Sequence, residues 1–223
     1  MNGIDDMTKE IILHSGETRE WVLVNEQDTH WHIIQEEGST LRLHFVCLPE
    51  TNADGIWKSS VIVEQNGVGC HTELYGMGVM RGRQEVDILT RVLHNVGGGY
   101  SSQLFKYVLD NESRGSFRGE LKILPNAQKV EAYQTNRNIL LSRQAQMTTE
   151  PQLEIYADDV KASHGATTGQ LDESAIFYMQ QRCIDRRSAY KLLLCAFFDD
   201  VLRTVNDSVI EQRLIDTIDG IIQ

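Results

Sequence analysis

Residues Gln84 to Ile123 read QEVDILTRVLHNVGGGYSSQLFKYVLDNESRGSFRGELKI. Within them, Gln84–Val92, Ser102–Leu109 and Ser116–Ile123 alternate apolar and polar side chains with a period of two, the pattern of half-buried strands. The runs are separated by Asn95-Val-Gly-Gly-Gly99 and Asn111-Glu-Ser-Arg-Gly115, clusters that supply the φ angles and local hydrogen bonds of turns. The same texture extends outward through Trp21–Val24, His30–Ile34, Leu41–Cys47, Ser60–Glu64, His71–Tyr75, Lys129–Asn136 and Gln152–Tyr156, with Asn66-Gly67 as another turn signal. Short strands at this spacing suit a sandwich or jelly roll, or a β-solenoid. No exact repeat decides between them. The scarcity of two-residue hairpin turns favours the solenoid, in which Asn95, Asn111, Asn126, Asn136 and Asn138 would sit at left-handed corners between coils.

Near residue 170 the pattern becomes helical, so residues 1–170 are expected to form the β core and 171–223 a helical region. Asp172 can cap a helix running to about Arg182, and Asp185 a second through Arg203 with Ala189, Leu193, Ala196, Phe197 and Asp200 on one face. Ser208-Val-Ile-Glu211 is a capping-box sequence ahead of an apolar line of Ile210, Leu214, Ile218 and Ile221. The middle helix is apolar nearly all round, through Tyr190, Leu192, Leu193, Leu194, Cys195, Phe197 and Phe198. Such a helix must be covered on one side by the β core and on the other by a neighbouring helix or a separate protein.

Composition narrows the function classes. The 223 residues (25.3 kDa) carry 41% hydrophobic side chains and a mean hydropathy of -0.32, enough for a core. No run approaches the roughly 20 apolar residues that span a bilayer. Met1–Glu10 has neither the basic start nor the apolar stretch of a secretion signal, so the expected location is cytoplasmic. A formal charge of -11 repels nucleic acid and anionic membranes. The one basic cluster, Arg182, Arg186, Arg187 and Lys191, reads as a solvated helix face. Cys47, Cys70, Cys183 and Cys195 have no metal-binding spacing and are expected to be buried and reduced.

The candidate constellations are few. His30-x-His32 with Glu36 places two imidazoles on one strand face near a carboxylate, as in a cupin-like metal-dependent enzyme. The glycine that pattern expects falls at Leu43, and no second motif follows. No nucleophile elbow is present, and Gly97-Gly98-Gly99 lacks the residues of a phosphate loop. In Pro151–Asp172 a strand turns at Asp158-Asp159 into a polar stretch holding His164, with Gly165 and Gly169 allowing tight bends beside the imidazole. A lone His there serves either as a structural hydrogen-bonding group or as a ligand.

The string LEIYADDVKASHGATTGQLDESAIFYMQQR, with Phe117-Arg-Gly119 and Gln134-Thr-Asn-Arg-Asn-Ile-Leu-Leu141, resembles the signature motifs of the SufB/SufD family of iron–sulfur cluster assembly proteins. The resemblance covers roughly residues 115–205, and Ser163-His-Gly-Ala-Thr167 is similar to the SufD branch, where SufB chains tend to read EHEAT. It implies a right-handed parallel β-helix followed by C-terminal helices, with no catalytic residues. It also implies a SufB-like partner on the β-helix and a SufC-like ABC ATPase on the helices, reached through Phe177, Tyr190, Leu193, Leu194, Phe197 and Phe198. His164 matches a histidine implicated in nascent cluster assembly at the SufB interface. Many relatives carry a cysteine two residues before that histidine, where this chain has Ala162, so the chain is expected to hold no cluster stably alone. Cys183 stands where the family commonly has glycine, and family members usually carry an N-terminal helical region. A stand-alone homodimer is the remaining alternative.

Overall fold

A computed structural model describes residues 8–49 and 54–222; Met1–Met7, the larger part of the segment on which the leader reading rests, lies outside them. Twelve strands come first: β1 Lys9–Leu13, β2 Thr18–Val24, β3 Thr29–Gln35, β4 Thr40–Cys47, β5 Ile56–Gln65, β6 His71–Met80, β7 Glu85–His94, β8 Tyr100–Leu109, β9 Arg114–Ile123, β10 Val130–Leu140, β11 Gln146–Ile155 and β12 Val160–Gly169. Three helices follow: α1 Glu173–Gln180, α2 Arg186–Val205 and α3 Ser208–Ile221.

The odd strands form one six-stranded sheet in the order β1-β3-β5-β7-β9-β11, and the even strands a second in the order β12-β10-β8-β6-β4-β2. Every pairing is parallel. Each coil therefore gives one strand to each sheet, which is a β-solenoid and not the antiparallel jelly roll. Hydrogen-bonded side chains on neighbouring coils stand 29, 30 or 31 residues apart along most of the stack, but 22 apart at its first step, from His14 to Glu36.

The alternation of side chains along each strand sends one set inward. Leu43, Leu74, Phe105, Phe117, Val92 and Ile123 are among the inward residues of the core, with the Phe105 and Phe117 rings 4.8 Å apart. Fully burying one such ring stabilises the fold by roughly 1.5–3 kcal/mol. Corners differ from the sequence expectation: of the five candidate asparagines only Asn111 has positive φ. Asn136 and Asn138 lie within β10, buried among the inward residues. Their amides bond to each other and to the chain, which satisfies them without a corner.

The helices cover part of the even sheet's outer face. Val46, Leu48, Met77, Val79 and Val108 meet Leu194, Phe198 and Val201 of α2 and Ile210, Leu214 and Ile218 of α3 in a second core. The C-terminal halves of β4, β6 and β8 are consequently buried on both faces. Two polar pins fix α2 there. Lys106, 4% exposed, donates 2.6 Å bonds to Asp200 Oδ2 and Phe197 O, and His44 Nε2 lies 3.1 Å from Thr204 Oγ1. The face of α2 that packs is thus Ala189, Leu194, Phe198 and Val201, not the Ala189–Leu193–Ala196–Phe197–Asp200 stripe. One helix touching two surfaces has no single stripe for periodicity to find. The α3 cap is Asp207, which accepts from the Val209 and Ile210 amides; Ser208 is already helical.

Candidate functional site

The last coil has neighbours on one side only. β11 ends the odd sheet and β12 ends the even sheet, so each leaves a ten-residue edge of backbone groups without a strand partner. β12 pairs with β10 in the register Val160↔Val130, Ala162↔Ala132, His164↔Gln134, Ala166↔Asn136 and Thr168↔Asn138. All five β10 residues are buried and point inward, and parallel partners share a face. His164 therefore belongs to the inward column, yet it is exposed because no coil lies over it. Its segment is a regular strand, where the sequence suggested a turn; Gly165 and Gly169 lie in extended backbone, with no positive φ.

Beneath His164 the inward column is polar. Thr90 Oγ1 donates to Gln103 Oε1 at 2.6 Å, and Gln134 Nε2 donates to the same oxygen at 3.4 Å. A side chain at Gly119 would collide with Gln134 Nε2. This explains the two motifs. Phe117 and Gly119 alternate inward, one filling the core and the other vacating room for an amide, while Arg118 faces out toward Asp87. Gln134, Asn136 and Asn138 are the inward half of the second motif. Gln134 Oε1, Gln103 Nε2 and Thr149 Oγ1 are buried without hydrogen-bond partners, and each such atom costs about 1–3 kcal/mol. Gln134 entered the sequence reading only within a family motif and with no role of its own; the signal was the period-two run of amides Gln134, Asn136 and Asn138 on one face of β10.

His30, His32 and Glu36 do not converge. His30 Nδ1 is 2.7 Å from Ser60 Oγ, His32 Nε2 is 3.1 Å from Glu64, and Glu36 pairs with His14 at 3.3 Å. Among the described residues no three metal-capable side chains cluster. Parallel coils and this dispersion overturn the cupin-like reading.

On the helices the six expected partner residues separate. Leu194 and Phe198 are fully buried in the second core, which removes them from any contact surface. Tyr190, Leu193 and Phe197 are half-buried, and Phe177 is 62% exposed. Tyr178 and Leu192, at 58% and 52%, join Phe177 as exposed apolar side chains. The basic cluster is largely paired: Arg182 lies 3.5 Å over the Tyr178 ring, Arg186 bonds Glu173, and Lys191 bonds Asp219.

The cysteines divide as well. Cys47 and Cys70 are buried, and burial pushes the Cys47 thiol up to about 12. Cys195 is partly covered, but Cys183 is exposed, contrary to expectation. Its φ is 63°. The Cys183 amide bonds Gln180 O and the Ile184 amide bonds Met179 O, so Cys183 holds the left-handed position of a Schellman turn, where glycine is favoured.

The family model described as SUF system FeS cluster assembly, SufBD core domain, matches residues 21–197. The chain belongs to this family. It is 31% identical over 160 residues to the iron-sulfur cluster assembly protein SufD of Escherichia coli, covering 72% of this chain and 38% of that protein. A SufBD family protein of Synechocystis is 35% identical over 143 residues, 64% of this chain and 32% of its own length. The chloroplastic protein ABCI7 of Arabidopsis thaliana is 28% identical over 193 residues, 86% of this chain and 40% of that protein. The chain thus spans less than half the length of these curated relatives. No helix among the described residues is long and apolar enough to cross a membrane.

Proposed function

We propose that this SufBD chain is a non-catalytic scaffold subunit in iron–sulfur cluster assembly. It pairs through its open last coil with a SufB-like subunit and presents His164 to the nascent cluster, which is cargo rather than a resident cofactor. The observation that carries the reading is the contrast at the register step from Gln134, buried, to His164, exposed. An inward column ending in water, flanked by two unpaired strand edges, is completed by another sheet laid edge to edge. Neutral imidazole there has a lone pair for iron or a proton, and with Ala162 beside it no thiolate is supplied from this strand. A SufC-like ATPase docks on the apolar side chains of α1 and α2, of which Phe177, Tyr178 and Leu192 are the exposed part.

The test is co-expression with SufB-like and SufC-like chains. His164→Ala is expected to keep the complex together while lowering cluster yield at least tenfold; full yield would reduce His164 to a structural residue. Since the helices share a core with the even sheet, deleting them disrupts the solenoid as well. Phe177→Glu with Leu192→Glu is the cleaner change for the ATPase contact. The pair is expected to release the ATPase and retain the SufB-like chain, and undiminished ATPase binding would move docking elsewhere.

A further inference from the structure

We infer that Gln134 is the positioning residue of His164, its Oε1 accepting the imidazole ring N–H and holding the ring in one tautomer. The inference rests on the assignment of His164 to cluster assembly for its purpose, but not for its geometry. Three observations carry it. Gln134 and His164 are Cα partners on adjacent parallel strands, which lie about 4.8 Å apart, so both side chains leave the same face at neighbouring points. The Gln134 amide is oriented from below: its Nε2 reaches back to Gln103 Oε1 in the preceding coil, in the room left by Gly119. The other branch of the same amide, Oε1, is not used by that bond. Gln134 is 2% exposed, and this oxygen has no partner.

The chemistry of the pair follows from what an amide oxygen is. It accepts and cannot donate, so it engages a protonated ring nitrogen and leaves the lone pair on the other one. That is the arrangement in which a histidine is best presented to a metal, its second nitrogen fixed by a carbonyl or carboxylate. In the structure His164 is exposed at the open end and makes no such bond; engaging the acceptor requires its ring to turn inward along the column it shares with Gln134. Covering the end excludes the competing water.

The test is nitrogen-15 NMR of the histidine ring in the full chain, repeated with the SufB-like partner bound. The wild-type chain with its partner bound is expected to show a ring N–H of His164 protected from solvent exchange. Gln134→Met, which keeps the side-chain length and removes the acceptor, is expected to abolish that protection and shift the tautomer ratio at least threefold. A wild-type ring N–H that exchanges freely in both states overturns the inference without any variant, as does a ratio that Gln134→Met leaves unchanged. The two readings fail separately. Full cluster yield from His164→Ala with an intact Gln134 effect removes the cluster role and keeps the positioning, while the opposite pair of results removes the positioning alone.

Discussion

Strands β10 and β12 are eleven and ten residues long and lie side by side in one sheet in unbroken register. In β10 every inward residue from Val130 to Asn138 is buried; in β12 the inward Val160 and Ala162 are half-buried and those from His164 onward are exposed. The backbone is the same, so the difference is what lies above. Each coil is stabilised by its two neighbours, as in other stacked architectures, and the last coil has one. Inward positions of the interior coils hold large apolar groups such as Phe105 and Phe117, whereas β12 presents His164, Ala166 and Thr168, residues that tolerate water.

The largest expected effect sharpens this contrast. Phe117→Ala, inside β9 against Phe105, is expected to cost about 3–5 kcal/mol. Leu153→Ala, two registers along in β11 and only partly covered, is expected to cost about 1 kcal/mol or less. Denaturant melts of the two variants compare them directly, and equal losses would break the one-neighbour account.

A smaller effect comes from protonation. His94 is completely buried and bonded to Ser101 at 2.8 Å, and burial lowers its pKa to about 4 from the usual 6.5. The folded state favours neutral imidazole, so stability is full above about pH 6.5 and falls as the pH drops toward 4, by on the order of 3 kcal/mol. His44, also lowered by burial, adds in the same direction. Urea melts between pH 7 and pH 4 check this, and His94→Gln is expected to flatten the slope. A slope unchanged by His94→Gln would take the acid sensitivity away from His94 and leave His44 as the group to test next.

The smallest effect lies beyond the last coil. Cys183→Gly relieves the left-handed strain and is expected to add about 0.5–1 kcal/mol, read as a rise of about 1–4 °C in melting temperature. No gain would mean that the turn after α1 has already relaxed around its cysteine.

Much of this was legible in the sequence. Ten strand runs, the change near residue 170, the Asp172 and Asp185 caps and the family motifs correspond to elements of the structure. β12 was missed for the reason the comparison supplies: a strand whose inward side meets water writes no apolar alternation. β1 was missed because Ile11, Ile12 and Leu13 run together without alternating. The fate of Gln134, Asn136 and Asn138 was hidden because an apolar-in, polar-out rule has no place for amides that bond to one another inside. The split of the six helix residues was hidden because sequence does not say which sheet face lies beneath α2.

One early feature carries a last consequence. The step from His14 to Glu36 spans 22 residues where later steps span about thirty, and β1 and β2 have five and seven residues against ten each in β11 and β12. The stack is a tapered tube with a narrow and a wide mouth. The strand edges of the first and last coils therefore differ in length and are poorly matched to each other, which lessens the usual hazard of exposed strand edges.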